Sequence, residues 1–320
     1  MTRTEPGDAP RHPPHGVDGR SAPGTEGGSA RGTEEGPALG TDRTPRVVAA
    51  RKLLRRGGRD RAGRFLVEGA QAVREALDAG PVHELFVTEA AASRNPELVD
   101  RARERGARIR IVTDKAAAGL SETVTPQGLV AVCDLLDVPL ETALAGAPGF
   151  VTVCAGISDP GNLGTVIRVA DAAGCDAVLL AGDTVDPHNG KAVRASTGSL
   201  FHLPLARDRD ASAVVGACRA AGLTTLVADG RGELDLHDPD TTPILAGPVA
   251  WILGSEAHGT GPEVAAAADH RVRVPIHGRA ESLNLATAAA ICLYATVGAR
   301  AGVAPHLAPA RDGNRLGGSL

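Results

Sequence analysis

Six apolar runs dominate the second half of the chain: FVTVCAG from Phe150, DAVLLAG from Asp176, LFHLPL from Leu200, LTTLVAD from Leu223, VAWILG from Val249 and VRVPI from Val272. Stretches with helical periodicity separate them. Strands that alternate with helices return through crossovers rather than hairpins, so the expected sheet is mostly parallel with helices on both faces. The 320 residues, 42% of them hydrophobic, are enough for one large core or two moderate ones.

A smaller α/β unit precedes these runs. A basic helix reaches from Arg46 to about Arg56, and FLVEG at Phe65, ELFVT at Glu84, RIRIV at Arg108 and QGLVAVCDL at Gln127 alternate with helical patterns over 70–79 and 96–104. The expected organisation is a disordered tail at 1–45, a small α/β domain at 46–136, a linker at 137–149, the larger domain at 150–303 and a second tail at 304–320. The first tail is rich in Gly, Pro, Ser, Thr and Glu, with too few branched apolar residues to offset the entropy of ordering.

Composition narrows the function classes. No run approaches the roughly 20 apolar residues of a membrane span, and the start lacks a secretory pattern, so the expected compartment is the cytoplasm. Five widely spaced cysteines without a CxxC pair read as buried hydrophobes rather than zinc ligands. His258 and His277 belong to no three-ligand spacing, so no metal is expected. The formal net charge is −4, yet Arg46 to Arg64 holds eight basic residues and one acid, Asp60. Such a cluster is either a solvated face or a patch for backbone phosphates.

In a parallel sheet, ligands bind beyond the carboxyl ends of the strands. Three polar loops fall there. In GISDPGNLGTVIR, Gly156 to Arg168, a turn at Asp159 to Gly161 precedes Asn162 as the expected N-cap. Leu163, Val166, Ile167, Ala170 and Ala173 form that helix's apolar stripe. Arg168 lies nearly opposite, among Gly164, Thr165 and Ala172, either as a surface arginine or as a cation reaching back to the loop. In ILGSEAHGTG, Ile252 to Gly261, Gly254 permits close approach of a ligand's atoms, and Glu256 either caps the next helix or offers a carboxylate. In VPIHGRAESLNLATAAAICLY, Val274 to Tyr294, the strand is expected to reach Ile276, with Ser282 as the N-cap of an Ala-rich helix and Asn284 in its first turn.

The order and wording of these loops resemble the three motifs of the SpoU (TrmH-like) RNA 2′-O-ribose methyltransferases, of the SPOUT class, over about 150 residues. Residues 46–135, with RFLVEGAQAVREAL, resemble the ribosomal-protein-like substrate-binding domain that many members carry in front. The resemblance implies a C-terminal trefoil knot, S-adenosyl-L-methionine as cofactor, a homodimer, and methylation of a ribose 2′-hydroxyl in structured RNA, ribosomal RNA favoured over transfer RNA. Residue by residue it assigns Asn162 and Arg168 to the first motif, Glu256 to the second, and Ser282 and Asn284 to the third. Gly254, Val274, Ile276 and Leu283 match the cofactor-binding positions.

A ribose hydroxyl is a poor nucleophile until its proton leaves. A guanidinium holds its proton in proteins, so Arg168 is read as an electrostatic stabiliser of the developing alkoxide, with an RNA phosphate as a candidate proton acceptor. Asn162 and Glu256 would orient it, and Ser282 and Asn284 would fix the loop and the cofactor or ribose. Arg51, Lys52, Arg55, Arg56 and Arg59 then become the expected phosphate contacts that position RNA without reading it. Two rival readings are weighed against this. A non-catalytic RNA-binding relative has no use for the polar loop residues. A dinucleotide-dependent oxidoreductase expects GxGxxG after the first strand, which Gly156 to Gly164 does not supply.

Overall fold

The structure is a computed structural model and describes residues 39–255 and 259–302. Tail positions 1–38 and 303–320, and Glu256, Ala257 and His258, lie outside the described residues.

Two sheets organise the fold. The first is built from β1 (Arg64–Glu68), β2 (Val82–Val87), β3 (Arg108–Ile111) and β4 (Leu129–Asp134) in the order β1-β4-β2-β3. β4 runs antiparallel to β1 and β2, while β2 and β3 are parallel. Its helices are α1 (Pro45–Arg51), α2 (Arg56–Ala62), α3 (Ala70–Ala79), α4 (Glu89–Arg94), α5 (Pro96–Glu104) and α6 (Asp114–Ala118).

The second sheet contains β5 (Phe150–Ala155), β6 (Ala177–Ala181), β7 (Leu205–Asp208), β8 (Thr224–Ala228), β9 (Leu234–Asp235), β10 (Val249–Gly254) and β11 (His270–Arg273). Its order is β7-β6-β5-β10-β8-β11-β9, and every pairing is parallel, as the alternating runs require. The intervening helices are α7 (Leu140–Ala143), α8 (Pro160–Ala172), α9 (Gly190–Ser196), α10 (Ala211–Ala220), α11 (Thr242–Ala246), α12 (Pro262–Ala267) and α13 (Leu285–Arg300). Central strands β5, β6 and β10 are buried almost throughout, which is why their sequences run apolar without alternation.

Several elements depart from expectation. The basic helix ends at Arg51, passes through a 3-10 turn and restarts as α2, where Gly58 admits the chain so closely that a Cβ would lie 1.9 Å from the Lys52 carbonyl oxygen. The LFHLPL run is not a strand over its length. Ser199–Phe201 is a 3-10 turn, and β7 begins only at Leu205. The strand expected to reach Ile276 stops at Arg273, so Val274 and Ile276 lie in the following loop. Residues 137–149 carry α7, and the Val138 N–H donates to the Leu205 carbonyl at 2.8 Å.

Both sheets belong to one compact unit. Phe65 of β1 packs edge-on to His188 and stacks on Phe201, so apolar contact is continuous between them. Trp251 on β10 is fully buried, and its indole N–H donates to Thr296 Oγ1 on α13 at 2.9 Å. All five cysteines are buried and unpaired, and burial pushes their thiols up to about 12. Among the described residues no helix is long and apolar enough to cross a membrane.

Candidate functional site

A cleft of about 800 Å³ opens beyond the carboxyl ends of β8, β10 and β11. It gathers Gly254, Val274, Ile276, Ser282 and Leu283, five of the positions singled out in the sequence, and adds Asp229, Arg231 and Glu281 at polar positions. Residues from separate motifs meet here because the parallel strands all deliver their loops to one edge.

Gly254 lines the cleft and also lies against the chain itself. A Cβ there would come 2.2 Å from the Gly259 carbonyl carbon and 2.4 Å from its oxygen. Ser255 and Gly259 exchange backbone hydrogen bonds of 3.0 and 2.8 Å, and Gly259 adopts a φ of 63°. The glycine therefore admits the chain's own returning loop. Glu256 follows Ser255 in the sequence and lies outside the described residues.

Asn284, not Ser282, caps α13. Its side-chain oxygen accepts from the N–H groups of Ala286 at 3.0 Å and Thr287 at 3.3 Å. The loop continues two residues beyond the expected cap, which leaves Ser282 exposed on the cleft wall. The same side chain's Nδ2 donates to Asn162 Oδ1 at 3.1 Å, joining the N-terminal turns of α13 and α8 across 122 residues.

The cap of α8 is Asp159, three residues before the expected Asn162. Asp159 Oδ1 accepts the Asn162 N–H at 2.8 Å, and Pro160 fits the first helical turn, where no N–H is needed. Lys191 Nζ lies 2.6 Å from Asp159 Oδ2. That lysine's hydrogen bond, with the bond from Asn162, holds the Asp159 carboxyl below its usual range. Neither Asp159 as cap nor Lys191 was singled out in the sequence; Asp directly before Pro is the signal that marks the cap.

Arg168 is exposed on α8, six residues past Asn162, or about 9 Å further along the axis at 1.5 Å per residue. Its Nη1 donates to Thr197 Oγ1 at 3.4 Å, and among the described residues no carboxylate pairs with it. The small-residue face expected around it is only partly open. Gly164 is buried against α9, where a Cβ would lie 2.3 Å from the Ala192 carbonyl oxygen, so this glycine serves helix packing.

The basic cluster divides. Lys52, Arg55 and Arg56 are exposed, and Arg56 is 3.9 Å from Asp60. Arg51 is half-buried and donates through Nε to the Gly119 carbonyl at 3.2 Å. Arg59 corrects the expected phosphate role, because it is 3% exposed and spends its guanidinium on Asp186 Oδ2 at 2.6 Å and on the carbonyls of Leu53 and Leu54. Its partner lies far along the chain, so a count of local charges could not detect the pairing.

The model of the SpoU rRNA Methylase family matches residues 149–294, and that of the RNA 2′-O ribose methyltransferase substrate-binding domain matches residues 66–139. The 23S rRNA (guanosine(2553)-2′-O)-methyltransferase RlmP of Bacillus subtilis is 36% identical over 248 residues, covering 76% of this chain and 92% of that one. The chain belongs to the SpoU rRNA methylase family.

Solved SpoU structures share its fold. The AdoMet-bound rRNA methyltransferase of Sinorhizobium meliloti superposes with a TM-score of 0.69 at 32% identity, over 79% of this chain and 94% of that one. The SpoU methyltransferase AviRb of Streptomyces viridochromogenes, in complex with AdoMet, gives 0.69 at 33% identity, over 81% and 99%. As a SpoU methylase of the SPOUT class, this protein is an RNA 2′-O-ribose methyltransferase. Nothing in these matches favours the non-catalytic or oxidoreductase readings.

Proposed function

We propose that this SpoU methylase uses S-adenosyl-L-methionine to methylate a ribose 2′-hydroxyl of 23S ribosomal RNA, with Arg168, Asn162, Glu256, Ser282 and Asn284 at the reacting end and Gly254, Val274, Ile276 and Leu283 around the cofactor. The observation that carries this reading is the 3.1 Å bond from Asn284 to Asn162 beside the 800 Å³ cleft. It ties the third motif, whose flanking residues line the cleft, to the helix bearing Arg168.

The cleft fits such a cofactor in size and character. Its volume is within the roughly 300–1,000 Å³ of small-molecule sites, and Leu253, Val274, Ile276 and Leu283 give it an apolar wall. Asp229 and Glu281 would offer acceptors to an ammonium or ribose hydroxyls. When bound, the cofactor supplies an electrophilic methyl. Asn284 fixes the α13 turn, Asn162 receives its amide, and Ser282 presents a hydroxyl to the cleft. Arg168 keeps a full positive charge available to the alkoxide that forms as the ribose loses its proton to a phosphate. Lys52, Arg55 and Arg56, with Arg51 behind them, position the RNA backbone.

The ribosomal preference is supported by the relatives' names, among them a Streptomyces viridochromogenes 23S rRNA (uridine(2479)-2′-O)-methyltransferase. A homodimer, a cytoplasmic location and a C-terminal trefoil knot belong to the same reading. The dimer reading is supported by the family membership and by Tyr294, an aromatic side chain left half-exposed on α13. Light scattering that returned a monomer at micromolar protein would count against it.

The deciding experiment is transfer of a labelled methyl group to separated ribosomal RNA, transfer RNA and DNA by wild type and Arg168→Ala. Label in ribosomal RNA alone, resistant to alkaline cleavage and lost in the variant, is the expected result. Label confined to transfer RNA would overturn the substrate, and undiminished transfer by the variant would overturn the role of Arg168.

A further inference from the structure

Thr197 has a φ of 51° and a ψ of 35°, in the left-handed region, as the residue that ends α9. A β-branched residue is strained there, and glycine would make the turn without strain. What threonine adds is a hydroxyl. That hydroxyl accepts from Arg168 Nη1 at 3.4 Å, and its single proton has the carbonyl of Arg194 or that of Ala195 as acceptor, each 3.5 Å away.

We propose that Thr197 is a positioning residue for Arg168, aiming its guanidinium through a neutral acceptor. The proposal rests on the catalytic reading of Arg168. A hydroxyl orients the guanidinium while adding no negative charge of its own beside the alkoxide. The long contact suits a catalytic group before substrate arrives, since such bonds tighten in the reacting complex.

For this to work, Thr197 must be fixed relative to α8, and α9 supplies the fixture. Gly164 brings the two helices into backbone contact at Ala192, and Lys191 bonds to the Asp159 cap. From the other side, Arg194 lies 3.4 Å from Glu68 of β1. The hydroxyl is thus held on a rigid helix end that both sheets grip.

The test measures methyl transfer to ribosomal RNA by the full-length protein carrying Thr197→Ser, Thr197→Ala or Thr197→Gly, with Arg168→Ala in parallel. Serine and alanine share the backbone strain and differ by the hydroxyl, whereas glycine removes both strain and hydroxyl. We expect serine to keep kcat within about twofold, and alanine and glycine to lower it by about 10- to 100-fold. The KM for RNA and the Kd for S-adenosylmethionine should stay within about threefold, and the glycine variant should melt no lower than wild type. In an Arg168→Lys background, Thr197→Gly should add no comparable further loss, because the two residues act as one unit. Alanine or glycine variants at wild-type kcat beside an inactive Arg168→Ala would overturn the proposal alone. An active Arg168→Ala would overturn the catalytic reading and the proposal with it.

Discussion

Arg59 of α2 and Asp186 of the β6–α9 loop meet at 2.6 Å with neither side chain more than 5% exposed, although 127 residues separate them in the chain. Around them Arg207 reaches Asp137, and His188 takes the Leu136 N–H on Nε2 at 3.1 Å. The group joins the first sheet's helices to the second sheet's loops. The Arg59 and His188 hydrogen bonds outweigh burial and hold the Asp186 carboxyl well below the carboxylate range.

Removing one partner of such a pair strands a buried charge. Arg59→Ala should therefore cost about 3–5 kcal/mol in urea unfolding. Its effect on the salt dependence of RNA binding should be negligible. Arg55→Ala and Arg56→Ala should reverse the pattern, with little change in stability and a salt slope shallower by about one per residue. An unchanged slope in both would remove the phosphate role of the exposed cluster.

His202 sets a pH dependence. Its Nδ1 is 2.8 Å from Asp171 of α8 and its Nε2 is 3.3 Å from Glu75 of α3. The bond to Asp171, then that to Glu75, raises its pKa over the opposing effect of burial. A raised folded pKa stabilises the fold fully below the unfolded value of about 6.5, and that gain is lost as pH rises through the folded value. The urea midpoint of wild type relative to His202→Gln should fall as pH rises from about 6.5 through the higher folded value. A constant difference across that range would show that the imidazolium contributes nothing.

Gly254→Ala should damage the cleft more than the core. The added methyl meets the Gly259 backbone rather than a flexible side chain, so the returning loop must move. Calorimetry with S-adenosylmethionine should show affinity reduced by more than about tenfold, with stability changed by about 1–3 kcal/mol. Wild-type affinity would mean that the loop's position is irrelevant to the cofactor.

The two polar residues at the entrance of α13 should separate cleanly. Asn284→Ala loses the cap and the bond to Asn162, so it should cost about 1 kcal/mol and most of the methyl transfer. Ser282→Ala, on the exposed wall, should stay within about 0.5 kcal/mol. Its effect should appear in turnover or cofactor binding, both read in the same transfer assay.

The parallel sheet was legible because its central strands are buried on both faces, so their sequences run apolar from Phe150 to Ala155 and from Val249 to Leu253. LFHLPL misleads for the same reason. Leu200 is buried in a 3-10 turn packed against α3, α8 and α9, and hydrophobicity alone does not distinguish that burial from a strand. The caps failed differently. Asp159 and Asn162, or Ser282 and Asn284, are all competent cap residues two or three positions apart, and only the path of the loop selects one. Arg59 was illegible in principle, since its meaning depends on Asp186.

Trp251 is the only tryptophan of the 320 residues, and it sits three positions before Gly254, sealed in the core with its indole bonded to α13. The protein therefore carries one indole fluorophore, placed where β10 and α13 meet and outside the first sheet. Its emission should stay blue-shifted while that junction is intact and move to the red only when the junction opens to water. Unfolding of the two sheets in separate steps would thus appear as a lag between the loss of helical circular dichroism and the spectral shift of this single side chain.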